Sequence, residues 1–141
     1  MLYNERIERI ELSSYKLKPI NTVKLVHHNY INYLYKYEDR TELTSLYHQR
    51  GAADDIIIIK KGFLTDSYYA NIALKYRDGL WYTPLNPLLK GTKRQYLIDH
   101  GALKVREISI DNVFQYEELC LFNSMIEMGE VTVPMSNIQY N

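Results

Sequence analysis

One lysine lies inside an aromatic run, Tyr33-Leu34-Tyr35-Lys36-Tyr37, and it is the first candidate for chemistry in this sequence. Apolar surroundings penalise the charged form of an amine, so the pKa of Lys36 would fall and its free amine could act as a nucleophile. The alternative is an outward-facing strand lysine whose stem rests on tyrosine rings. Local sequence alone favours that alternative.

A second candidate is the carboxylate in Leu64-Thr65-Asp66-Ser67, which is followed by Asn71. A carboxylate at a strand end can pair with a cationic heterocycle nitrogen. The alternative is a turn in which Asp66 and Ser67 accept hydrogen bonds from nearby backbone N–H groups. Taken alone, the segment favours the turn.

A third candidate is Gly91-Thr92-Lys93, where a predicted helix begins. Free N–H groups at a helix N-terminus bind phosphate, and a preceding glycine allows close backbone approach. The spacing matches neither G-x-x-x-x-G-K-[ST] nor G-x-G-x-x-G, so it does not indicate a nucleotide-binding loop. The hydroxyl of Ser124, at the end of a predicted strand, could add one more phosphate contact. As bare patterns, both features are more often structural.

Other kinds of site find little support. The four histidines have no metal-ligand spacing with Cys120 or with one another, which argues against zinc. Neither G-x-S-x-G nor H-E-x-x-H is present. Cys120 lies in an apolar strand and is expected to be a small core residue.

Length and composition indicate one globular domain. The chain has 141 residues, with 17 Lys and Arg against 17 Asp and Glu. A net charge of zero removes the electrostatic case for binding nucleic acid or an anionic membrane surface. No apolar run has the length of a membrane span, and the N-terminus has no apolar stretch of signal-peptide length. A lone cysteine fits a reducing compartment, so we expect a cytoplasmic protein.

The pattern of residues predicts many strands and few helices. Ile56–Ile59 are four consecutive β-branched residues, which suit a strand buried on both faces. Turn residues at Lys61-Gly62 and Asp78-Gly79 predict two hairpins. The remaining predicted elements are strands at 22–26, 71–76, 80–83, 103–110, 119–122 and 131–133, and helices over 39–50, at 92–100 and from 111. This order predicts an α+β domain, with a hairpin-rich sheet or partial barrel and two or three helices.

The order of the weak signals is more informative than any one of them. Lys-x-x-x-Arg at 36–40 is followed by Leu-Thr-Asp-x-x-x-x-Asn at 64–71, Trp-x-Thr-Pro at 81–84, Leu-Leu-x-Gly-Thr-x-Arg at 88–94 and Asn-Ser at 123–124. This series resembles the class IV aminotransferase family of pyridoxal-phosphate enzymes. Residues 20–134 carry the resemblance, and they are similar to the large C-terminal domain of the family. Among its members, the short 4-amino-4-deoxychorismate lyase-like proteins are the most similar.

The resemblance implies roles for individual residues. Lys36 matches the lysine that forms a Schiff base with pyridoxal 5'-phosphate and then shuttles a proton as the catalytic amine. Asp66 matches the acidic residue that pairs with the pyridine nitrogen. Thr92 and Lys93, which follow Gly91, match residues whose backbone N–H groups hold the phosphate, and Ser124 matches a hydroxyl that contacts it. Asn71 matches an asparagine that supports the site.

The resemblance also implies a function. It predicts a pyridoxal-phosphate enzyme that acts on 4-amino-4-deoxychorismate, as a lyase of folate biosynthesis, or on an amino acid, as an aminotransferase of amino-acid metabolism. The core site does not separate these two, and only the likeness to short lyase-like members favours the lyase. An alternative is a non-catalytic fragment or binding module that keeps the family fold.

Two departures from the family pattern bear on these expectations. Most members carry glutamate where this chain has Asp66, which is shorter by one methylene. The family's smaller N-terminal domain, which supplies an arginine to the phosphate, has no counterpart here, so residues 1–141 are expected to form a single domain equivalent to the large one.

Association is the last expectation. The family generally forms homodimers, and tyrosine is enriched at protein interfaces. Tyr30, Tyr33, Tyr35 and Tyr37 surround Lys36. We therefore expect a homodimer with the 30–37 strand near the subunit contact, although Tyr35 and Tyr37 could equally line the cofactor pocket or the core.

Overall fold

The computed structural model describes residues 20–29 and 41–140, except for the side chains of residues 41 and 42. The predicted nucleophile Lys36, the first two residues of the helix predicted over 39–50 and the tyrosine-rich strand at 30–37 lie outside the described residues. Predictions about these positions therefore stay predictions.

Nine strands of the described residues form one mixed sheet, in the order β6-β5-β4-β3-β2-β1-β9, with β7 pairing to β4 and β8 pairing to β7. Parallel pairs join β1 to β2, β1 to β9 and β5 to β6, and the other pairs are antiparallel. The strands are β1 (Val23–His27), β2 (Asp55–Lys60), β3 (Phe63–Ser67), β4 (Asn71–Tyr76), β5 (Trp81–Pro84), β6 (Lys104–Arg106), β7 (Tyr116–Phe122), β8 (Val131–Pro134) and β9 (Ile138–Gln139).

The isoleucine run forms the centre of this sheet. Ile56 to Ile59 are fully buried in β2, which confirms the prediction of a strand covered on both faces. Ile57 and Ile59 pack into the largest apolar cluster, and Ile56 and Ile58 pack into a second cluster. The pleat sends alternate side chains to opposite faces, so one run of four isoleucines joins two parts of the core.

Both predicted hairpins form. The turn at Lys61-Gly62 connects β2 to β3. The turn at Asp78-Gly79 connects β4 to β5, where Gly79 has a φ of +85° and the carboxylate of Asp78 accepts a hydrogen bond from the Leu80 N–H at 2.9 Å. Glycine is favoured at a positive φ because it has no Cβ to clash with the backbone.

Two α-helices, α1 (Thr41–Tyr47) and α2 (Thr92–Asp99), cover different parts of the sheet in the described chain. Leu43 and Leu46 of α1 pack on Ile56 and Ile58 of β2. Leu97 and Ile98 of α2 pack on a buried cluster that includes Phe122 and Cys120, and Cys120 is a core residue as predicted. No helix among the described residues is long and apolar enough to cross a membrane. The fold is α+β, as the sequence predicts.

The strand predicted at 103–110 is interrupted: Lys104–Arg106 forms β6 beside β5, whereas Ser109 makes an isolated antiparallel bridge to Phe63 at the start of β3. Leu103 and Ile108 are buried in two different apolar clusters. The helix predicted from 111 is a single 3-10 turn at Val113–Gln115.

Candidate functional site

A cavity of about 390 Å³ lies where several elements meet at one end of the sheet. Strands β3 and β7 end there, β4 begins there, and α2 begins beside them. Asp66 of β3 lies directly opposite Asn71 of β4 in the antiparallel pairing of these two strands. On its other side, Asn71 lies opposite Phe122 of β7. The cavity is lined by Leu43, Asp66, Ser67, Tyr68, Tyr69, Ala70, Asn71, Leu88, Leu89, Gly91, Thr92, Lys93, Asn123, Ser124 and Met125.

Asp66 is a buried carboxylate whose two oxygens are both held by hydrogen bonds. Its Oδ1 accepts from the amide Nδ2 of Asn71 at 3.1 Å, and its Oδ2 accepts from the backbone N–H of Leu89 at 3.0 Å. A carboxylate has about four lone-pair sites, so these two contacts leave it able to accept another donor from the cavity.

Burial raises the pKa of the Asp66 carboxyl from 3.8 to about 7. The hydrogen bonds from Leu89 and Asn71 lower this pKa, and so does the positive charge of Arg94. Arg94 is buried in α2, and its Nη2 donates to the carbonyl oxygen of Pro84 at 3.1 Å. A cationic nitrogen bound next to Asp66 would favour the ionised carboxylate further.

Asn71 and Gly91 approach each other closely. A Cβ at Gly91 would lie 2.6 Å from Oδ1 of Asn71, so a side chain at position 91 would force the Asn71 amide to move. The Nδ2 of Asn71 donates to the carbonyl oxygen of Leu89 at 2.9 Å as well as to Asp66. The glycine therefore lets the segment before α2 pack directly on the amide that contacts the buried carboxylate.

The N-terminus of α2 faces the cavity without a side-chain cap. Gly91 is the N-cap residue, it makes no side-chain capping hydrogen bond, and the first turn contains no acidic residue. Thr92 and Lys93 both line the cavity. The first N–H groups of a helix have no partner within the helix, so this end offers donors and a positive dipole to an anion.

Ser124 lies in the turn that follows β7. The Oδ1 of Asn123 accepts hydrogen bonds from the N–H groups of Met125 at 2.8 Å and Ile126 at 2.9 Å, and these contacts shape the turn. The Nδ2 of Asn123 donates to the carbonyl oxygen of Tyr69 at 3.2 Å. The turn with Ser124 is thereby joined to the Tyr68-Tyr69 bend on another side of the cavity.

The structure brings together all the site residues predicted from sequence that it describes. Asp66, Asn71, Gly91, Thr92, Lys93 and Ser124 all line the one cavity. Lys36 lies outside the described residues, so its position relative to the cavity stays a prediction.

The aromatic wall of the cavity is not among the site residues that the sequence predicts. Tyr68 stacks on Tyr47 with ring centroids 4.3 Å apart, and its hydroxyl lies 3.3 Å from Oγ1 of Thr44. Leu43 of α1 lines the same side. Two adjacent tyrosines between Asp66 and Asn71 are a sequence signal that could have predicted this wall. By contrast, no residue pattern near α1 indicates that this helix would reach the cavity.

Comparisons with known proteins agree on one family. The family model described as amino-transferase class IV matches residues 19–133. An uncharacterized protein of Haemophilus influenzae is 37% identical over 124 residues, which cover 87% of this chain and 65% of that protein.

Solved structures have the same fold. A protein of Haemophilus somnus 129PT, proposed to be a 4-amino-4-deoxychorismate lyase, is 38% identical with a TM-score of 0.75 over 79% of this chain and 57% of that one. A hypothetical aminotransferase from Mycobacterium tuberculosis in its PLP-bound form is 15% identical, with a TM-score of 0.67 over 80% of this chain and 47% of that one. The chain thus spans 65% or less of the length of each of these relatives.

Proposed function

Because the chain belongs to the class IV aminotransferase family, we propose that it is a pyridoxal-phosphate-dependent enzyme that carries its cofactor on Lys36. The observation that supports this most directly is the pairing of two features in one cavity. A buried carboxylate, Asp66, and an uncapped helix N-terminus at Gly91 line the same space of about 390 Å³. These two features suit the two ends of the cofactor, its pyridine nitrogen and its phosphate.

The residues of the cavity fit this group. The backbone N–H groups of Thr92 and Lys93 and the hydroxyl of Ser124 would hold the phosphate, since a helix N-terminus attracts anions. The carboxylate of Asp66 would pair with the pyridine nitrogen. Asn71 would hold Asp66 in place, and Gly91 would keep the helix start close to Asn71, where a Cβ would meet Oδ1 at 2.6 Å. A volume of this size is in the ordinary range for a small-molecule site.

When bound, pyridoxal phosphate supplies an electron sink for a carbanion at the substrate α-carbon. Asp66 would keep the pyridine nitrogen protonated, because an ionised carboxylate beside it favours the charged ring. The amine of Lys36 would hold the cofactor covalently. Once displaced by the substrate amine, it would remove or return the proton at the substrate α-carbon.

We further propose a lyase-like activity in which 4-amino-4-deoxychorismate loses pyruvate. The support is the 38% identity to a protein proposed to be a 4-amino-4-deoxychorismate lyase. Amino-acid transamination is the other candidate, since it begins with the same proton removal. Pyruvate release from aminodeoxychorismate and 2-oxoglutarate-dependent transamination should be compared in steady-state assays. A clear preference for transamination would overturn the lyase assignment and leave the cofactor assignment intact.

The cofactor assignment is tested by absorbance. Addition of pyridoxal phosphate to the purified protein should produce the visible band of the lysine-bound cofactor. The Lys36→Ala variant should bind the cofactor without that band, and Lys24→Ala, which removes a lysine from β1, should keep it. Identical spectra for the wild type and Lys36→Ala would contradict the proposal.

A further inference from the structure

Lys93 lines the cavity and carries a cationic side chain. Its side chain is 20% exposed, and its ammonium Nζ lies 2.8 Å from Oε1 of Glu127, whose side chain is 70% exposed. Among the described residues that line the cavity, Lys93 is the one with a cationic side chain. Glu127 does not line the cavity, so the ammonium of Lys93 is held beside a residue outside the lining, while a carboxylate, Asp66, lies in the cavity wall.

The place of Lys93 in the helix is unfavourable without an anion. It is the second residue of α2, and cations at a helix N-terminus oppose the positive end of the helix dipole. The first turn contains no acidic residue, so the helix itself supplies no compensating charge. In the structure the compensation comes from Glu127, in the turn between β7 and β8.

We propose that the ammonium of Lys93 exchanges Glu127 for the phosphate of the bound ligand, so that Lys93 binds phosphate through its side chain as well as its backbone. This inference rests on the proposed function, because that function identifies the ligand as pyridoxal phosphate. A phosphate carries close to two negative charges near neutral pH and attracts the ammonium more strongly than one carboxylate does. Lysine is a common phosphate ligand that acts as a point charge.

Glu127 is suited to releasing Lys93. Its carboxylate is largely exposed, so water replaces the lost partner. Its backbone stays in place, because the N–H of Glu127 donates to Oε1 of Glu130 at 2.8 Å and the N–H of Glu130 donates to the Glu127 carbonyl at 3.1 Å. Glu127 thus competes with the ligand for Lys93, and removal of its charge should strengthen phosphate binding.

The experiment compares Lys93→Gln, Glu127→Gln and Lys90→Gln with the wild type. Lys90 is an exposed lysine three residues before Lys93 and does not line the cavity, so it controls for the loss of one positive charge. Each protein, freed of bound ligand, is titrated with pyridoxal phosphate and with pyridoxal by absorbance. Its melting temperature is also measured in inorganic phosphate and in chloride of matched ionic strength.

Loss of Lys93 should weaken pyridoxal phosphate binding about tenfold, as expected for one charge-assisted contact. Pyridoxal, which has no phosphate, should bind Lys93→Gln as it binds the wild type. Glu127→Gln should bind pyridoxal phosphate more tightly, and Lys90→Gln should match the wild type. Inorganic phosphate should raise the melting temperature of the wild type more than that of Lys93→Gln, and Lys93→Arg should restore the difference.

Equal pyridoxal phosphate affinity in Lys93→Gln and the wild type would overturn the inference and leave the proposed function standing. An equal loss for pyridoxal and pyridoxal phosphate would also overturn it, because the side chain would then act on the fold. A Lys93-dependent stabilisation by inorganic phosphate without any visible band from pyridoxal phosphate would support the phosphate contact and contradict the proposed function.

Discussion

The amide Nδ2 of Asn71 lies 3.1 Å from Oδ1 of Asp66, at the register pair that joins β3 to β4. The same Nδ2 donates to the carbonyl oxygen of Leu89 at 2.9 Å, and the Leu89 N–H donates to Oδ2 of Asp66 at 3.0 Å. Three hydrogen bonds thus join Asp66, Asn71 and Leu89 in a closed ring. The ring ties the segment before α2 to the end of the sheet, so one buried carboxylate fixes two sides of the cavity.

Removal of the Asn71 side chain should break this ring. In Asn71→Ala, the Oδ1 of Asp66 and the carbonyl of Leu89 both lose their donor, which should lower the free energy of unfolding by about 1–3 kcal/mol. Urea unfolding at fixed protein concentration measures the change. Asn86→Ala, at an exposed position, is the matched control and should lie within about 0.5 kcal/mol of the wild type. A comparable loss in both variants would contradict the role of the ring.

A Cβ at position 91 should displace the Asn71 amide. Gly91→Ala places that atom 2.6 Å from Oδ1 of Asn71, and overpacking of this kind costs about 1–3 kcal/mol. In an Asn71→Ala background the Oδ1 of Asn71 is absent, so Gly91→Ala should lower the free energy of unfolding much less. A double-mutant cycle of unfolding free energies measures this coupling. Strict additivity would show that the close approach does not constrain position 91.

Stability should fall as the pH rises, because burial raises the pKa of Asp66 in the folded protein to about 7 from 3.8. Between these values the folded protein holds a proton on Asp66 that the unfolded chain has lost, so unfolding becomes more favourable as protons are removed. The stabilising effect is complete below about pH 3.8 and is lost as the pH passes through about 7.

The Asp66→Asn variant should lose this part of the pH dependence, because an amide does not titrate. Some slope should remain from Asp55, whose pKa burial raises to about 6. Urea unfolding across this pH range, with Asp111→Asn at an exposed carboxylate as the control, measures the difference. Parallel curves for the wild type and Asp66→Asn would contradict the raised pKa.

Local pattern was enough to predict much of the sheet. Residues close together in sequence determine the strand of four isoleucines and the turns at Lys61-Gly62 and Asp78-Gly79. Both hairpins have the predicted strands. The pairing of β9 with β1 was not predicted. It joins Ile138 to Val23 across most of the described chain, and a strand of two residues has no periodicity to detect.

For a similar reason, the sequence predicts the residues of the site but not the contacts between them. The order of the motifs brought Asp66, Asn71, Gly91 and Ser124 into one prediction through a family resemblance. The contacts that join them are long-range, such as the Leu89 N–H on Asp66 and Glu127 on Lys93. No local signal in the sequence indicates which distant carboxylate a partly buried lysine meets, so these contacts needed the structure.

Association should be visible in solution. We predict a particle with twice the chain's 16.7 kDa, because the tyrosines at 30–37 offer large apolar rings and a net charge of zero gives little repulsion between copies. Light scattering at micromolar concentration measures the mass. Tyr33→Glu should shift the protein toward the monomer, whereas Tyr33→Phe should not. A strictly monomeric wild type would contradict the prediction.

Covalent attachment at Lys36 tests the central proposal most directly. The protein is incubated with pyridoxal phosphate, reduced with borohydride to make any lysine linkage permanent, digested and mapped by mass spectrometry. The proposal predicts stoichiometric modification of Lys36 and little at the other lysines, with none at that position in Lys36→Ala. An unmodified Lys36, or modification spread evenly over the lysines, would contradict it.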